Sequence, residues 1–182
     1  MAKLISGTYG EALFGLALEE NKLDIFYEEV VSLLEVLKQN DDFVKLLNHP
    51  KVVKDEKISL IENIFKGRVS DEIVGFFVLI LKKDRFFDIE EILNYFVDKV
   101  KEEKKIGVVV VTTAVDVNDE AKQKIEGRIL ETTGYKTLEV SYRVDTALIG
   151  GMTIRIGDRV VDSSISNKLY ELKKQLMNIQ LG

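Results

Sequence analysis

Hydrophobic positions recur with helical spacing along residues 1–105. The first helix carries an apolar stripe at positions i, i+3, i+4 and i+7: Tyr9, Ala12, Leu13 and Leu16. Phe14 and Leu18 point away from that stripe. This helix therefore has more apolar surface than one core contact requires.

Five more helices are predicted in the same region. The second helix is predicted at about Leu23–Gln39 and the fourth at about Lys54–Lys66. The third follows the capping residue Asn40, the fifth follows the capping residue Ser70, and the sixth runs from about Asp88 onward. The fifth helix contains the run Ile73–Leu81, which is apolar on every side. Such a helix is either fully buried or lacks a partner. Together the six helices predict a compact bundle.

The hydrophobic period changes at Ile106. The β-branched run to Thr113 is typical of a strand covered on both faces. Three further segments complete the pattern: a helix from Asn118 to about Gly134, an alternating strand over Leu138–Val144, and a hairpin that turns at Gly157–Asp158. A last helix, about Ser164 to Gln180, repeats Ile165, Leu169, Leu172, Leu176 and Ile179. This second part is predicted to be a small α/β domain.

The predicted fold class is α+β, with a six-helix bundle over 1–105 followed by a small α/β domain over 106–182. Charge divides at the same place. The chain has a net charge of -5, and the helical part holds all of it, since the second part has 10 basic and 10 acidic side chains. No basic cluster is dense enough to follow a phosphate backbone, so nucleic acid is not an expected partner.

The sequence lacks the residues that most kinds of catalytic site require. The 182 residues include no cysteine and a single histidine, His49, which precedes Pro50 in a predicted loop. A multi-histidine or cysteine-ligated metal site is excluded. No Gly-Lys dipeptide and no Gly-x-Ser-x-Gly occur, so neither a P-loop nor a nucleophile elbow can form. We expect no catalytic residue, no cofactor and no metal.

The sequence also lacks the signals of membrane insertion and export. The longest apolar run has nine residues, Ile73–Leu81, whereas a helix needs roughly 20 to cross a bilayer. The amino terminus shows neither a secretory pattern nor a transit-like segment. We expect any membrane association to be indirect.

Two features exceed an ordinary globular pattern. The surplus apolar surface of the first and fifth helices is either bundle core or a groove for a partner helix, which would need apolar anchors at helical spacing. The glycine-rich segment from Leu148 to Ile165 is densely patterned. Its glycines permit tight backbone turns, and the residues alone indicate a hairpin and nothing further.

This segment, Leu-Ile-Gly-Gly-Met-Thr-Ile-Arg-Ile-Gly-Asp-Arg-Val-Val-Asp-Ser-Ser-Ile, closely resembles the signature of the delta subunit of F-type ATP synthases, the oligomycin-sensitivity-conferring protein of mitochondria. The resemblance covers the whole chain. It includes Tyr-Gly-Glu-Ala-Leu-Phe in the first helix and Lys-Lys-Asp-Arg at the end of the fifth. The signature positions are Leu148, Gly150, Gly151, Ile154, Gly157 and Asp158. Without a transit segment, the chain looks like a bacterial member.

The resemblance implies a non-catalytic stator subunit that links the catalytic head to the peripheral stalk, so that rotor torque is coupled to ATP synthesis. The helical domain would hold the amino-terminal helix of an alpha subunit between its first and fifth helices. The positions that match this groove are Tyr9, Ala12, Leu13, Leu16, Gly75, Phe76 and Leu79. Gly75 would admit a guest backbone, although a tight contact inside the bundle would also favour glycine.

The second domain is expected, by the same resemblance, to join the stalk's b subunits. Its candidate residues lie on the last helix: Leu169, Leu172 and Leu176. One copy per complex is implied, located peripherally at the cytoplasmic face of the bacterial inner membrane. An alternative from another class is a free-standing two-domain adaptor or small-ligand binding protein.

Overall fold

The computed structural model describes residues 2–179, with side chains described for residues 5–177. It is an α+β structure with a helical first part and a small sheet in the second, as the sequence predicted. The chain divides into two compact units, Met1–Lys101 and Glu102–Gly182. That division falls within the last turn of a helix rather than after Lys105.

Within the described residues, the first unit contains six α-helices and one short 3-10 helix. The α-helices are α1 (Ala2–Glu19), α2 (Leu23–Gln39), α3 (Asp41–Asn48), α4 (Lys54–Phe65), α5 (Asp71–Lys82) and α6 (Ile89–Glu103). The 3-10 turn Phe86–Asp88 precedes α6. Gly67 has a φ of 75°, a conformation that favours glycine, and it follows the end of α4 as predicted.

A single apolar core holds these helices together. A chain of aromatic contacts runs through it, with ring centroids 6.2, 5.8 and 6.2 Å apart from Phe43 to Phe65, Phe77 and Phe86. Ile80 on α5 and Phe96 on α6 are fully buried in the same core. Most of the apolar surface of α5 is therefore core.

The buried face of α1 combines Leu13 with three small residues, and it shares only Leu13 with the predicted stripe. The buried positions are Ser6, Gly10, Leu13 and Ala17. Of the predicted stripe, Ala12 is exposed, while Tyr9 and Leu16 are only half-buried. The spacing of apolar residues does not reveal the other three positions, because small side chains permit close helix packing without adding hydrophobicity.

We expect Gly10→Ala to destabilise the first unit by about 1–3 kcal/mol, the usual cost of overpacking a close contact. A Cβ at Gly10 would lie 2.5 Å from Tyr95 Cδ1 and 3.2 Å from the carbonyl oxygen of Ile92. Urea unfolding of the full chain measures the change. An unchanged midpoint would show that α1 can move away from α6 at no cost.

Two predicted capping side chains are used differently. Asn40 Nδ2 donates to the carbonyl oxygen of Val36 at 2.8 Å, and makes no cap bond to α3. Ser70 likewise makes no side-chain cap bond to α5. Its hydroxyl donates to Glu29 Oε2 at 2.6 Å, and its backbone N–H also donates to this carboxylate. Glu29 thus joins the start of α5 to α2.

The part of the second unit that the structure describes, up to residue 179, forms a four-stranded sheet and two helices. Its elements are β1 (Ile106–Thr113), α7 (Asp119–Thr132), β2 (Thr137–Val144), β3 (Met152–Ile156), β4 (Arg159–Asp162) and α8 (Ile165–Ile179). The strand order is β2-β1-β3-β4; β1 and β2 are parallel, whereas β3 is antiparallel to both of its neighbours. The Gly157–Asp158 hairpin is confirmed, and Gly157 has a φ of 55°.

Helix α7 packs on one face of this sheet. Asn118 caps it as predicted, since the N–H of Ala121 donates to Asn118 Oδ1 at 3.0 Å. The Tyr142 hydroxyl donates to Glu126 Oε1 at 3.0 Å and so joins β2 to α7. Burial first, and then this hydrogen bond, raise the pKa of Tyr142 to about 12.

The prediction that β1 is covered on both faces was wrong. Val109 and Val111 are fully buried under α7, but Val108, on the other face, is 45% exposed. A continuous β-branched run cannot distinguish a doubly covered strand from a central strand with one open face. The predicted end of the last helix, Gln180, and the side chain of Ile179 lie outside the described residues.

Candidate functional site

An open apolar trough lies between α1 and α5. We call it the α1–α5 trough, and its lining residues are Ala12, Gly15, Leu16, Glu19, Glu72, Gly75, Phe76 and Leu79. Glu19 ends α1 and Glu72 lies in the first turn of α5. Since these two residues meet at one end of the trough, the helices that form its walls run antiparallel.

Five of the seven predicted groove residues line this trough: Ala12, Leu16, Gly75, Phe76 and Leu79. Leu13 does not, because it is 1% exposed and belongs to the core, so its assignment to an accessible groove is corrected. Tyr9 is half-buried against the core and is not a lining residue. All three α5 residues that the family resemblance supplied line the trough, whereas on α1 only Ala12 and Leu16 of the four supplied residues do.

Two glycines of the trough have no packing reason inside the bundle. A Cβ at Gly75 would meet no atom within 4 Å, and the same is true of Gly15. The alternative that Gly75 serves a tight internal contact is therefore excluded. Glycine inside a helix costs roughly 0.5–1 kcal/mol relative to alanine. Both positions keep the trough shallow and open to close approach from outside.

Three lining residues were not foreseen from the sequence: Gly15, Glu19 and Glu72. Gly15 carried a signal, since it is a glycine inside a helical pattern without a turn. The two acids resemble ordinary end-of-helix charges. Only the pairing of the two helices reveals that they lie together.

The acidic end of the trough is partly neutralised. Lys22 Nζ donates to Glu72 Oε1, and Glu20 Oε2 lies 4.0 Å from the same ammonium. The hydrogen bond between Lys22 and Glu72 raises the pKa of the lysine and lowers the pKa of the carboxyl group. Both groups therefore stay charged around neutral pH. The remaining surface is apolar, which suits a hydrophobic guest.

A second exposed apolar surface lies on α8. We call it the α8 stripe: Ile165, Leu169, Leu172 and Leu176. These side chains are 43–65% exposed although they recur at helical spacing. The three predicted stalk-binding leucines belong to this stripe. Exposed apolar side chains in such a contiguous set usually mark an interaction surface.

The signature segment builds local structure. A Cβ at Gly150 would lie 2.6 Å from Ile165 Cδ1, and one at Gly151 would lie 2.5 Å from the carbonyl oxygen of Ser163. Ile154 packs in the sheet core, and Leu148 ends a 3-10 turn. Asp158 shares the hairpin turn with Gly157. These residues bring the hairpin against the start of α8.

Hydrogen bonds strengthen the same junction. Asp162 Oδ1 accepts from the N–H of Ser164 at 2.9 Å, and the Ser164 hydroxyl oxygen accepts from the N–H of Asn167 at 3.1 Å. The hydrogen bonds from Ser164, aided by Thr153, hold the pKa of Asp162 below its usual value. The start of α8 is thus fixed by the hairpin that precedes it.

The single histidine and the acidic side chains of residues 2–179 form no metal-binding group. His49 ends α3, and its Nδ1 accepts from the N–H of Lys51 at 3.2 Å. Within the described part of the chain, no three histidine or acidic side chains are grouped to hold a metal ion. No helix of that part is long and apolar enough to cross a membrane.

Each unit has an exposed apolar surface, and comparison with known proteins identifies the family. The family model "ATP synthase delta (OSCP) subunit" matches residues 5–176. The chain belongs to this family.

Curated relatives match over full length. ATP synthase subunit delta of Lachnoclostridium phytofermentans is 53% identical over 182 residues, which covers 100% of both chains. That of Alkaliphilus oremlandii is 33% identical over 179 residues, or 98% of this chain and 99% of the relative. Among solved structures, a chain of the Toxoplasma gondii mitochondrial ATP synthase hexamer has a TM-score of 0.74 at 19% identity, and covers 94% of this chain and 97% of that chain. This last likeness supports the fold.

Proposed function

We propose that this chain is a non-catalytic stator subunit of a bacterial F-type ATP synthase. The first unit would bind the amino-terminal helix of an alpha subunit in the α1–α5 trough. The second unit would bind the b subunits of the peripheral stalk through the α8 stripe. One copy would then link the catalytic head to the stalk, peripherally at the cytoplasmic face of the inner membrane.

The observation that carries this proposal is the trough with its two open glycines. A guest helix needs an apolar surface at helical spacing, and Gly75 and Leu79 supply one wall while Ala12 and Leu16 supply the other. Gly15 and Gly75 lower helix stability without an internal contact in return. Close approach of a guest backbone would explain why glycine occupies both positions.

The mechanical role follows from two interfaces in series. Rotor torque would turn the catalytic head unless a static connection held it to the membrane-embedded stator. Such a connection must persist through many turnovers, so slow dissociation matters more than fast association. Family membership favours this function over a free-standing adaptor, because the matched relatives are named as ATP synthase subunits.

Gly15→Ala and Gly75→Ala test the trough. We expect each to stabilise the free chain by about 0.5–1 kcal/mol, because alanine favours helix and no atom blocks its Cβ. Each should weaken binding of a synthetic alpha-subunit amino-terminal peptide about tenfold, since the methyl group intrudes on the guest. Thermal unfolding and titration calorimetry on the full-length chain measure the two effects.

Gly127→Ala is the matched control. Gly127 lies inside α7, and its Cβ would also meet nothing within 4 Å. It should stabilise the chain by a similar amount and leave peptide affinity unchanged. If Gly75→Ala raises stability but binds the peptide as the parent chain does, the guest does not lie against that part of α5, and the proposal loses its main support.

A further inference from the structure

The sheet of the second unit is wider than the helix that covers it. Four strands at ~4.8 Å spacing span about 19 Å, whereas one α-helix is about 10 Å across. Helix α7 packs over Val109 and Val111 of β1 and over the apolar side chains of β2. The same face of β3 and β4 lies beside α7 and is open. A two-layer unit of this kind has room for one more helix.

The open area has an apolar floor, which we call the β3–β4 shelf: Met152, Ile154, Ile156 and Val161. The strand register fixes the face of each residue. Ile154 lies opposite both Val111 on β1 and Val161 on β4, so all three point to the α7 side. Val161 is 62% exposed. Ile125 and Ile129 of α7 form the wall of the shelf.

The charged side chains that line the shelf are basic. Lys124 and Arg128 line it from α7, one helical turn apart. Arg159 lies opposite Ile156, so it occupies the same face on β4. The ion pair of Arg128 with Glu131 is 3.3 Å long and exposed at both ends, so it competes weakly with a new partner. The shelf therefore favours an occupant that carries acidic side chains.

This charge argues against the chain's own α8 as the occupant. Over Ile165–Ile179, α8 carries Lys168, Lys173 and Lys174 against the single acid Glu171. Packing that helix between Lys124, Arg128 and Arg159 would bring like charges together. The α8 stripe is also exposed, as it would not be if it lay in the shelf.

We propose that the β3–β4 shelf is a second docking surface for the peripheral stalk, and that it takes an acidic amphipathic helix of a b subunit. The guest helix would lie beside α7 and complete the helical layer over the sheet. Its apolar side chains would contact Ile154 and Val161, and its carboxylates would pair with Lys124 and Arg128. This inference rests on the proposed stator function and adds a surface to it.

The sharpest test compares two neighbouring residues of β4. Val161→Asp places a charge on the shelf, while Val160→Asp places the same charge on the opposite face, where Val160 is 56% exposed. Both sites are on an edge strand and exposed, so both variants should fold. We expect Val161→Asp in the full-length chain to weaken binding of the purified water-soluble part of the b subunit about thirtyfold, and Val160→Asp to weaken it less than threefold.

Charge reversal tests the chemistry of the guest. The double variant Lys124→Glu with Arg128→Glu should weaken b-subunit binding about tenfold at low salt, and the loss should shrink as salt rises. Lys136→Glu is the matched control, because Lys136 is exposed just before β2 at the far edge of the sheet. A double variant that binds as tightly as the parent chain would contradict an acidic guest.

Other outcomes separate this inference from the proposed function. If Leu172→Asp abolishes binding while Val161→Asp leaves it intact, the stalk binds through α8 alone; the shelf proposal fails and the stator function stands. If the parent chain does not bind the b fragment, both fail. If Val161→Asp accelerates hydrogen exchange of α8 amides in the free chain, α8 itself covers the shelf, and the proposal is overturned.

Discussion

Leu79→Asp is expected to weaken binding of the alpha-subunit amino-terminal peptide about a hundredfold, or ~2.7 kcal/mol. Leu79 lies in the α1–α5 trough and is 44% exposed in the free chain. A guest helix would bury the rest of it, and full burial of a leucine is worth roughly 1.5–3 kcal/mol. The aspartate would lose that gain and also leave its carboxylate desolvated against an apolar guest.

The fold should survive this change. The core residues Phe77 and Ile80 of α5 are fully buried and lie on the face away from the trough, whereas Leu79 is partly exposed to solvent. Leu46→Asp is the matched control, since Leu46 of α3 is 45% exposed and lies outside the trough. Both variants should melt close to the parent temperature, and only Leu79→Asp should lose affinity. Tyr9→Ala should cost less, because Tyr9 does not line the trough.

An intact melt with unchanged peptide affinity would place the guest elsewhere. A collapsed melt for Leu79→Asp alone would instead show that Leu79 contributes to the core, in which case the trough is not a free surface. Measuring stability and affinity on the same samples separates these two results.

Gly151→Ala is expected to destabilise the second unit by about 2–4 kcal/mol, from a left-handed backbone and a steric clash together. Gly151 has a φ of 76°, and its Cβ would lie 2.5 Å from the carbonyl oxygen of Ser163. That oxygen belongs to the backbone between β4 and α8, where Ile165 N–H donates to the Gly150 carbonyl oxygen at 2.9 Å. The clash cannot be relieved by a side-chain rotation.

Gly157→Ala separates the two causes. Gly157 also has a positive φ, 55°, but its Cβ would meet nothing within 4 Å. It should therefore cost only the conformational term, about 1–2 kcal/mol. Calorimetric unfolding of the full chain should show a drop of roughly 10 °C or more for Gly151→Ala. Equal drops for the two variants would contradict the close contact with Ser163.

Hydrophobic periodicity predicted where helices and strands lie better than it predicted which of their faces are buried. The α2 boundaries and the β3–β4 hairpin agree with the structure because strong apolar repeats and a Gly-Asp turn specify them locally. The buried face of α1 did not follow from apolar residues, since Ser6 and Gly10 pack closely without being hydrophobic. Leu13, which the family resemblance placed in the groove, is part of the core.

Surfaces formed jointly by two or more elements were harder to predict from the sequence. The family resemblance supplied Gly75 and Leu79 as groove residues, and both line the trough, since four-residue spacing puts them on one face of α5. Glu19 and Glu72 could not be paired without knowing that α1 lies beside α5. The open face of β1, shown by Val108, depends on how many helices cover the sheet, which no local pattern encodes.

The proposed stator function requires one chain to join two partners through separate units. Its most direct test is co-purification of alpha and b subunits with the tagged full-length chain from detergent-solubilised membranes of the source cell. The parent chain should bring both, whereas the Leu79→Asp chain should lose most of the alpha subunit from the complex and keep the b subunits. If Leu79→Asp loses both partners together or neither, the two-interface account is contradicted.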